Sequence, residues 1–162
     1  MSTSNPIRKK KNPMPKFLRK LMQNPSFARI FFKTQAFVFK NTKGLFMSTI
    51  TGYPICVVTM TGVKTGKLRS IPIMYVPYKE GVLIVASKGG ADDHPSWYWN
   101  LRSNPEVEVI LKGDKFKSEA KRITDEDKDL LWPLICDAFP NYKKYQEATE
   151  RNIPVFNCQP ST

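Results

Sequence analysis

The chain has 162 residues, 41% of them hydrophobic and 12% aromatic, which suits a single domain with a real core and argues against a disordered chain. No apolar run reaches the roughly 18 residues of a spanning helix, and no apolar segment follows the basic N-terminus as a secretory signal requires. The net charge of +12 comes wholly from one half: residues 1–79 carry fifteen Lys and Arg and no acid, residues 80–162 eleven bases and fourteen acids. Such a field favours an anionic partner, whether a phosphorylated ligand, an anionic lipid surface or a nucleic acid.

Residues 1–22 read as a basic, mobile tail broken by Pro6, Pro13 and Pro15, and residues 23–162 as one domain. Asn24-Pro25-Ser26 has the form of a helix start. Phe27, Ile30, Phe31, Thr34 and Val38 then share a face at helical spacing, so a helix is expected over 25–40. Two readings stand for it: packing on the core, or lying in a membrane interface with its phenylalanines in the lipid boundary and its lysines toward headgroups.

After Gly52 the pattern turns to strands. Tyr53–Thr61 is β-branched and apolar. Leu68–Tyr78 is a second strand that Pro72 and Pro77 mark as edge-like or bulged. Lys79-Glu80-Gly81 is a turn, Val82–Ser87 a buried strand, and Val107–Lys112 pairs with Lys115–Ile123 across Gly113-Asp114. In the last strand Phe116, Ser118, Ala120 and Arg122 share one face. His94–Pro105 reads as a short helix between prolines. Thr124 opens another with Asp125, Glu126 and Asp127 at its positive end, running through Leu130, Leu131, Leu134 and Ile135. A shorter helix covers Tyr142–Arg151. Consecutive hairpins with few helices predict an α+β fold, a small antiparallel barrel with flanking helices.

Cys56, Cys136 and Cys158 are an odd, scattered set, as expected in a reducing compartment, and His94 is the single histidine. No zinc site is expected, and nothing supports a serine–histidine–aspartate triad.

The segment TGVKTGKLRSIP, Thr61–Pro72, is the chemically loaded stretch. Its glycines let backbone N–H groups approach an anion, and Lys64, Lys67 and Arg69 add donors and charge. It is not a nucleotide P-loop: three residues separate Gly62 from Gly66, and Leu68 follows Lys67 where that motif needs Ser or Thr. On these residues alone, a phosphate-holding turn and a solvated basic hairpin tip both remain open.

Together with VASKGGADDHPSWYWNLRSNPEVEV and PNYKKYQEATERNIPVFNCQP, this turn resembles the deazaflavin (coenzyme F420)-dependent nitroreductase and quinone reductase family, over roughly Gly44–Pro160. The resemblance implies a flavin-reductase-like split β-barrel with an N-terminal helix, and a reductase acting by hydride transfer from the reduced deazaflavin to a quinone, enone or nitroaromatic acceptor. It implies coenzyme F420, a polyanion, as the cofactor. Lys64, Thr65 and Arg69 would face its phosphate, Pro72 would shape the wall between phosphate and ring, Ser87, Lys88 and Gly89 would line the ring, and Trp97 would pack nearby. Ser87, Tyr142 and Tyr145 would serve the substrate side. Phe139 and Met74 depart from the nitroimidazole-activating member, which has tyrosines there. An FMN-binding split-barrel oxidoreductase and a non-catalytic basic module for membrane or nucleic acid are the alternatives, with no nucleic acid expected because the aromatics form no stacking platform. The expected location is cytoplasmic, peripheral on the inner membrane face through residues 1–40.

Overall fold

The structure, a computed structural model, describes residues 53–161. The tail and the helix expected over 25–40 lie outside the described residues. Six antiparallel strands form a closed barrel: β1 (Ile55–Thr61), β2 (Leu68–Tyr78), β3 (Gly81–Val85), β4 (Glu106–Leu111), β5 (Asp114–Arg122) and β6 (Val155–Cys158), in the spatial order β1-β2-β3-β6-β5-β4. Pairing of β1 with β4, from Val57↔Ile110 to Met60↔Val107, closes the ring. Three helices flank it: α1 (Ser96–Ser103), α2 (Asp125–Ala138) and α3 (Asn141–Glu147). The α+β split-barrel class is therefore the observed one.

Alternation along the strands divides the core in two. Cys56, Val58, Met60, Ile84, Val109 and Phe156 fill the barrel interior, with Tyr98 and Leu101 of α1 closing one end. Val76, Leu83, Val85 and Val155 face outward and bury a second cluster against Ile135, Phe139, Tyr142 and Ile153. Strand β3 serves both clusters and is buried along its whole length. Each fully buried Val, Leu or Ile side chain contributes roughly 1.5–3 kcal/mol.

Where β2 crosses from one neighbour to the other, the barrel opens. Its first part pairs with β1, from Thr61↔Leu68 to Ile55↔Met74, and its last part with β3, from Tyr75↔Ile84 to Tyr78↔Gly81. Each proline thus sits in a stretch with one paired edge, which is why an eleven-residue strand inside a barrel tolerates a missing N–H at Pro72 and Pro77.

Several boundaries differ from expectation. The β4–β5 turn is Lys112-Gly113, with φ of +52° and +100°, so Asp114 pairs with Leu111 instead of turning; a two-residue hairpin favours positive φ at both central positions. Strand β3 ends at Val85, two residues early, because β2 and β3 part there. Helix α2 is capped as expected, Thr124 Oγ1 accepting from the Asp127 N–H at 3.1 Å. Its buried face runs through Leu131, Trp132 and Ile135, however, while Leu130 is 79% exposed. Helix α3 stops at Glu147, and β6, which the sequence reading did not place, completes the ring between β3 and β5.

Candidate functional site

The split between β2 and β3 carries the basic turn on one side and the β3 exit on the other. If the β2–β3 register continued three residues past Tyr75↔Ile84, Ser87 would lie opposite Pro72. The strands diverge instead, and the edge of β2 from Leu68 to Ile73 has no strand partner on that side among the described residues.

The basic turn is built by its backbone. Gly62 N–H donates to Lys67 O at 2.9 Å, and the N–H groups of Thr65 and Gly66 donate to Gly62 O at 3.1 and 2.8 Å. Asn100 of α1 accepts the Val63 N–H at 3.0 Å, tying the turn to that helix. Lys64, Lys67 and Arg69 stay exposed. Thr65 Oγ1 accepts from the Lys67 N–H and from Arg69 Nη2, both at 3.4 Å, so Arg69 is folded back toward Thr65.

The β3 exit is built differently. Ser87 is αR (φ −72°, ψ −37°), while Lys88, Gly89 and Gly90 all have positive φ, of +48°, +69° and +87°. An αR–αL sequence points successive amides to one side and makes a concave anion cradle. A side chain on Gly90 would meet Tyr145 O at 2.9 Å, so the turn packs directly on α3; a Cβ on Gly89 would meet nothing within 4 Å. Ser87 is only 9% exposed, and its hydroxyl has no hydrogen-bond partner among the described residues. A buried hydroxyl left unpaired costs about 1–3 kcal/mol, which marks it as a group awaiting a ligand. Lys88 is ion-paired with Asp93, whose carboxyl is held below its ordinary range by that lysine.

Trp97 is half-buried on the barrel end, its ring 6.0 Å from that of Phe156. On α3, Tyr142 is buried, and burial with Tyr145 alongside pushes its phenol well up, so it remains a protonated donor. No partner for its hydroxyl occurs among the described residues. Phe139 packs edge-on against both Tyr53 (4.5 Å) and Tyr142 (4.9 Å), and Tyr145 lies 6.2 Å from each of Phe139 and Tyr142. Tyr145 meets the Ser87–Gly90 turn through its backbone; no direct contact joins Tyr142 to Ser87.

Arg151 was not singled out from the sequence, yet it is the most connected side chain of the region. Its guanidinium donates to Ala91 O (2.8 Å), Ala86 O (3.1 Å), Ser87 O (2.8 Å) and His94 Nδ1 (3.2 Å). Its position, four residues before β6, offered no signal, because its partners are mostly backbone carbonyls. His94 stacks on Tyr98 at 3.9 Å, and its imidazole is held below the ordinary range by burial and by Arg151. Among the described residues no group of three or more His, Cys, Asp or Glu is arranged to hold a metal ion.

Fold and site define a small split-barrel protein with a cleft between a cationic turn and a donor-lined, partly open turn. Residues 31–160 match the F420H(2)-dependent quinone reductase family, and the chain belongs to it. The F420H(2)-dependent quinone reductase Rv1261c of Mycobacterium tuberculosis is 36% identical over 122 residues, 73% of this chain and 82% of that protein. A solved F420-H2 dependent reductase (FDR-A) superposes with a TM-score of 0.61 at 40% identity, covering 65% of this chain and 94% of its own. A second solved chain, described as a domain-swapped dimer, gives 0.63 at 34% identity, covering 84% and 100%. The family's cofactor is coenzyme F420, and the residues fit it: an exposed cationic turn suits a phosphodiester, and Ser87 offers a buried hydroxyl without a partner among the described residues, beside open space at Gly89.

Proposed function

We propose that this protein reduces a quinone, or another conjugated carbonyl, using reduced coenzyme F420. The single observation carrying this reading is the buried Ser87 hydroxyl, without a partner among the described residues, next to Gly89, where a Cβ would meet nothing within 4 Å. Coenzyme F420, when bound, supplies a hydride. Lys64, Thr65 and Arg69 hold its phosphate, and Pro72 separates that pocket from the ring. Ser87, Lys88 and Gly89 line the ring with amide and hydroxyl donors, and Trp97 closes the barrel side. Tyr142 and Tyr145, with Ser87, donate to the acceptor oxygen as negative charge grows there, and burial keeps the Tyr142 proton in place for that purpose. Quinones and enones suit this arrangement better than bicyclic nitroimidazoles, because Phe139 and Met74 offer no O–H donor.

The test is an anaerobic assay of F420H2 oxidation with a soluble naphthoquinone, comparing parent, Ser87→Ala and Tyr142→Phe. Tyr142→Phe lowers turnover more than cofactor affinity, as expected for a donor used chiefly in the transition state. Unchanged turnover in both variants, or no quinone-dependent oxidation in the parent, refutes the assignment.

We further propose a lipid-dissolved quinone as the acceptor, met by cytoplasmic protein at the inner membrane face. The seven bases of the first twenty residues, followed by the phenylalanine-rich stretch, support it: charge plus apolar area is what peripheral anchoring needs. Among the described residues no helix is long and apolar enough to cross a membrane. Sedimentation with anionic vesicles at low salt is expected for the full chain and not for one lacking residues 1–40; a full chain that stays in the supernatant ends the membrane reading.

A further inference from the structure

The Ser87–Ala91 turn holds a conformation its own sequence does not secure. Lys88 has φ +48°, a left-handed position that costs a non-glycine residue roughly 1 kcal/mol or more, and it persists only where the surroundings over-determine it. Inside the turn, Gly90 N–H donates to Ser87 O at 3.0 Å and Ala91 N–H to Lys88 O at a long 3.4 Å. Beyond the Lys88–Asp93 ion pair and the packing of Gly90 on Tyr145, Arg151 restrains the turn: its Nη2 bridges Ala86 O and Ser87 O while Nε takes Ala91 O. One guanidinium therefore grips both ends of the turn.

The peptide plane carries this grip to the far side. A carbonyl and the next residue's N–H belong to one planar unit and point in opposite directions. With Ala86 O and Ser87 O turned onto Arg151, the N–H groups of Ser87 and Lys88 are turned away from it, side by side, and neither has an acceptor among the described residues.

Arg151 is itself secured. Gln146 Nε2 donates to Arg151 O at 2.8 Å, Gln146 Oε1 accepts from Ile153 N–H at 3.0 Å and from buried Lys128 Nζ at 2.8 Å, and Asn152 Oδ1 also accepts from Lys128. No carboxylate among the described residues lies within ion-pair reach of Arg151, so its charge is spent on carbonyls. A planar fork reaches three carbonyls in fixed directions; a lysine ammonium is a point donor and cannot.

We propose that Arg151 is a positioning residue for this reductase, clamping the Ser87–Ala91 turn so that the Ser87 and Lys88 amides and the Ser87 hydroxyl face the cofactor. The proposal rests on the reading of that turn as the wall of the cofactor site.

The experiment compares the parent with Arg151→Met, Arg151→Lys, Arg151→Ala with and without added methylguanidinium, and Gly89→Ala. Four quantities are read: affinity for oxidised coenzyme F420 by fluorescence titration, the absorption spectrum of the bound deazaflavin, melting temperature, and amide hydrogen exchange over residues 86–91 without cofactor. Arg151→Met weakens binding at least about tenfold, as loss of charged donors to buried carbonyls requires. It also removes the bound-state spectral shift and speeds exchange across the turn. Arg151→Lys does not restore the parent values, and methylguanidinium restores part of the affinity of Arg151→Ala. Parent-like affinity and spectrum in Arg151→Met overturn the clamp. So does a loss that methylguanidinium leaves untouched while the melting temperature falls, because Arg151 is then a folding contact only. Gly89→Ala tests the underlying reading: its methyl projects into open space, and the strain of an alanine at φ +69°, roughly 1 kcal/mol or more, is read separately from the melting temperature. If it binds like the parent, the turn is not the cofactor wall. If it weakens binding at an unchanged melting temperature while Arg151→Met does not, the clamp alone is wrong.

Discussion

On the proposed reading, the two turns that flank the β2–β3 split hold an anionic ligand by opposite means. The Lys64–Arg69 wall is exposed side-chain charge on a backbone-built hairpin tip, its internal side-chain bonds no shorter than 3.4 Å. The Ser87–Ala91 wall is backbone held from behind, its donors oriented by an arginine that points away from the ligand. Charge on exposed side chains recruits a polyanion and tolerates sliding; amides on a clamped turn define where a ring would sit. Substitutions on the first wall should therefore change affinity without stability, and those behind the second should change both.

The largest effect is expected on the exposed wall. Lys64→Ala and Arg69→Ala should each cost about 1–3 kcal/mol of coenzyme F420 binding, the loss of a charge-assisted hydrogen bond, with the melting temperature unmoved. Titration by fluorescence beside a thermal melt checks this. Unchanged affinity in both variants removes the phosphate from this turn, and a lowered melting temperature would erase the contrast between the walls.

Next comes Lys128, behind the clamped wall. It is 4% exposed, its ammonium on Gln146 and Asn152 and 4.5 Å from the centre of the Trp132 ring. Lys128→Met keeps the stem but leaves Asn152 Oδ1 without its donor and Gln146 Oε1 with the Ile153 N–H alone, so unfolding free energy should fall by about 1–3 kcal/mol. Cofactor affinity should fall less, because the effect reaches the turn only through Gln146 and Arg151. Denaturant titration measures the first and fluorescence the second; the reverse order would show the wall to be softer than its bonding suggests.

A smaller effect is expected from pH. His94 Nδ1 accepts from Arg151, which fixes the neutral ring with its proton on Nε2. Protonation would break that bond and set two cations together, with Arg122 and Arg102 adding repulsion and Asp93 partly offsetting it. The folded state thus binds its proton below the ordinary value of 6.5, and the unfolded chain binds more protons across that interval. Stability then rises with pH there and is lost as pH falls through and below the ordinary histidine range. Melts at pH 7.5 and 5.5 should show a steeper acid loss in the parent than in His94→Gln.

Legibility in the sequence divided along the same line as the two walls. The basic turn announced itself because charge and glycine spacing are visible residue by residue, and strands β1 and β2 because β-branched runs have a period. Proline positions even anticipated that β2 would be edge-like, although it lies inside the ring. Arg151 and Asn100 were not legible: each acts on a backbone atom tens of residues away, and no local pattern records such a partner. Strand β6 was missed for a related reason. Four residues buried on both sides show no alternation, and only their neighbours β3 and β5 make them a strand. The helix expected through Leu130, Leu131, Leu134 and Ile135 forms, but which of its leucines are covered was not legible: Leu131 packs on the core, while Leu130 and Leu134 are exposed.

The smallest predicted effect sharpens the comparison most, because it asks whether the exposed wall uses anything but charge. Thr65 Oγ1 already accepts twice, from Lys67 N–H and Arg69 Nη2, both long at 3.4 Å. A hydroxyl that accepts on both lone pairs has one proton left, and that proton has no partner among the described residues. It is free to donate to a phosphate oxygen held by Lys64 and Arg69. Thr65→Val keeps the shape and removes both functions. Stability should change by no more than about 0.5 kcal/mol, the usual range for an exposed position. Binding of coenzyme F420 should weaken by about 0.5–1.5 kcal/mol, less than in either charge variant, since a hydroxyl contributes less than an ionised donor. Thr65→Ser should bind like the parent. If Thr65→Val binds like the parent too, the turn holds its anion by charge alone, and the parent's affinity should then fall steeply with added salt and that of the charge variants less steeply. If Thr65→Val weakens binding and Thr65→Ser does not, the exposed wall also carries a directional donor, and the difference between the walls is one of support rather than of chemistry.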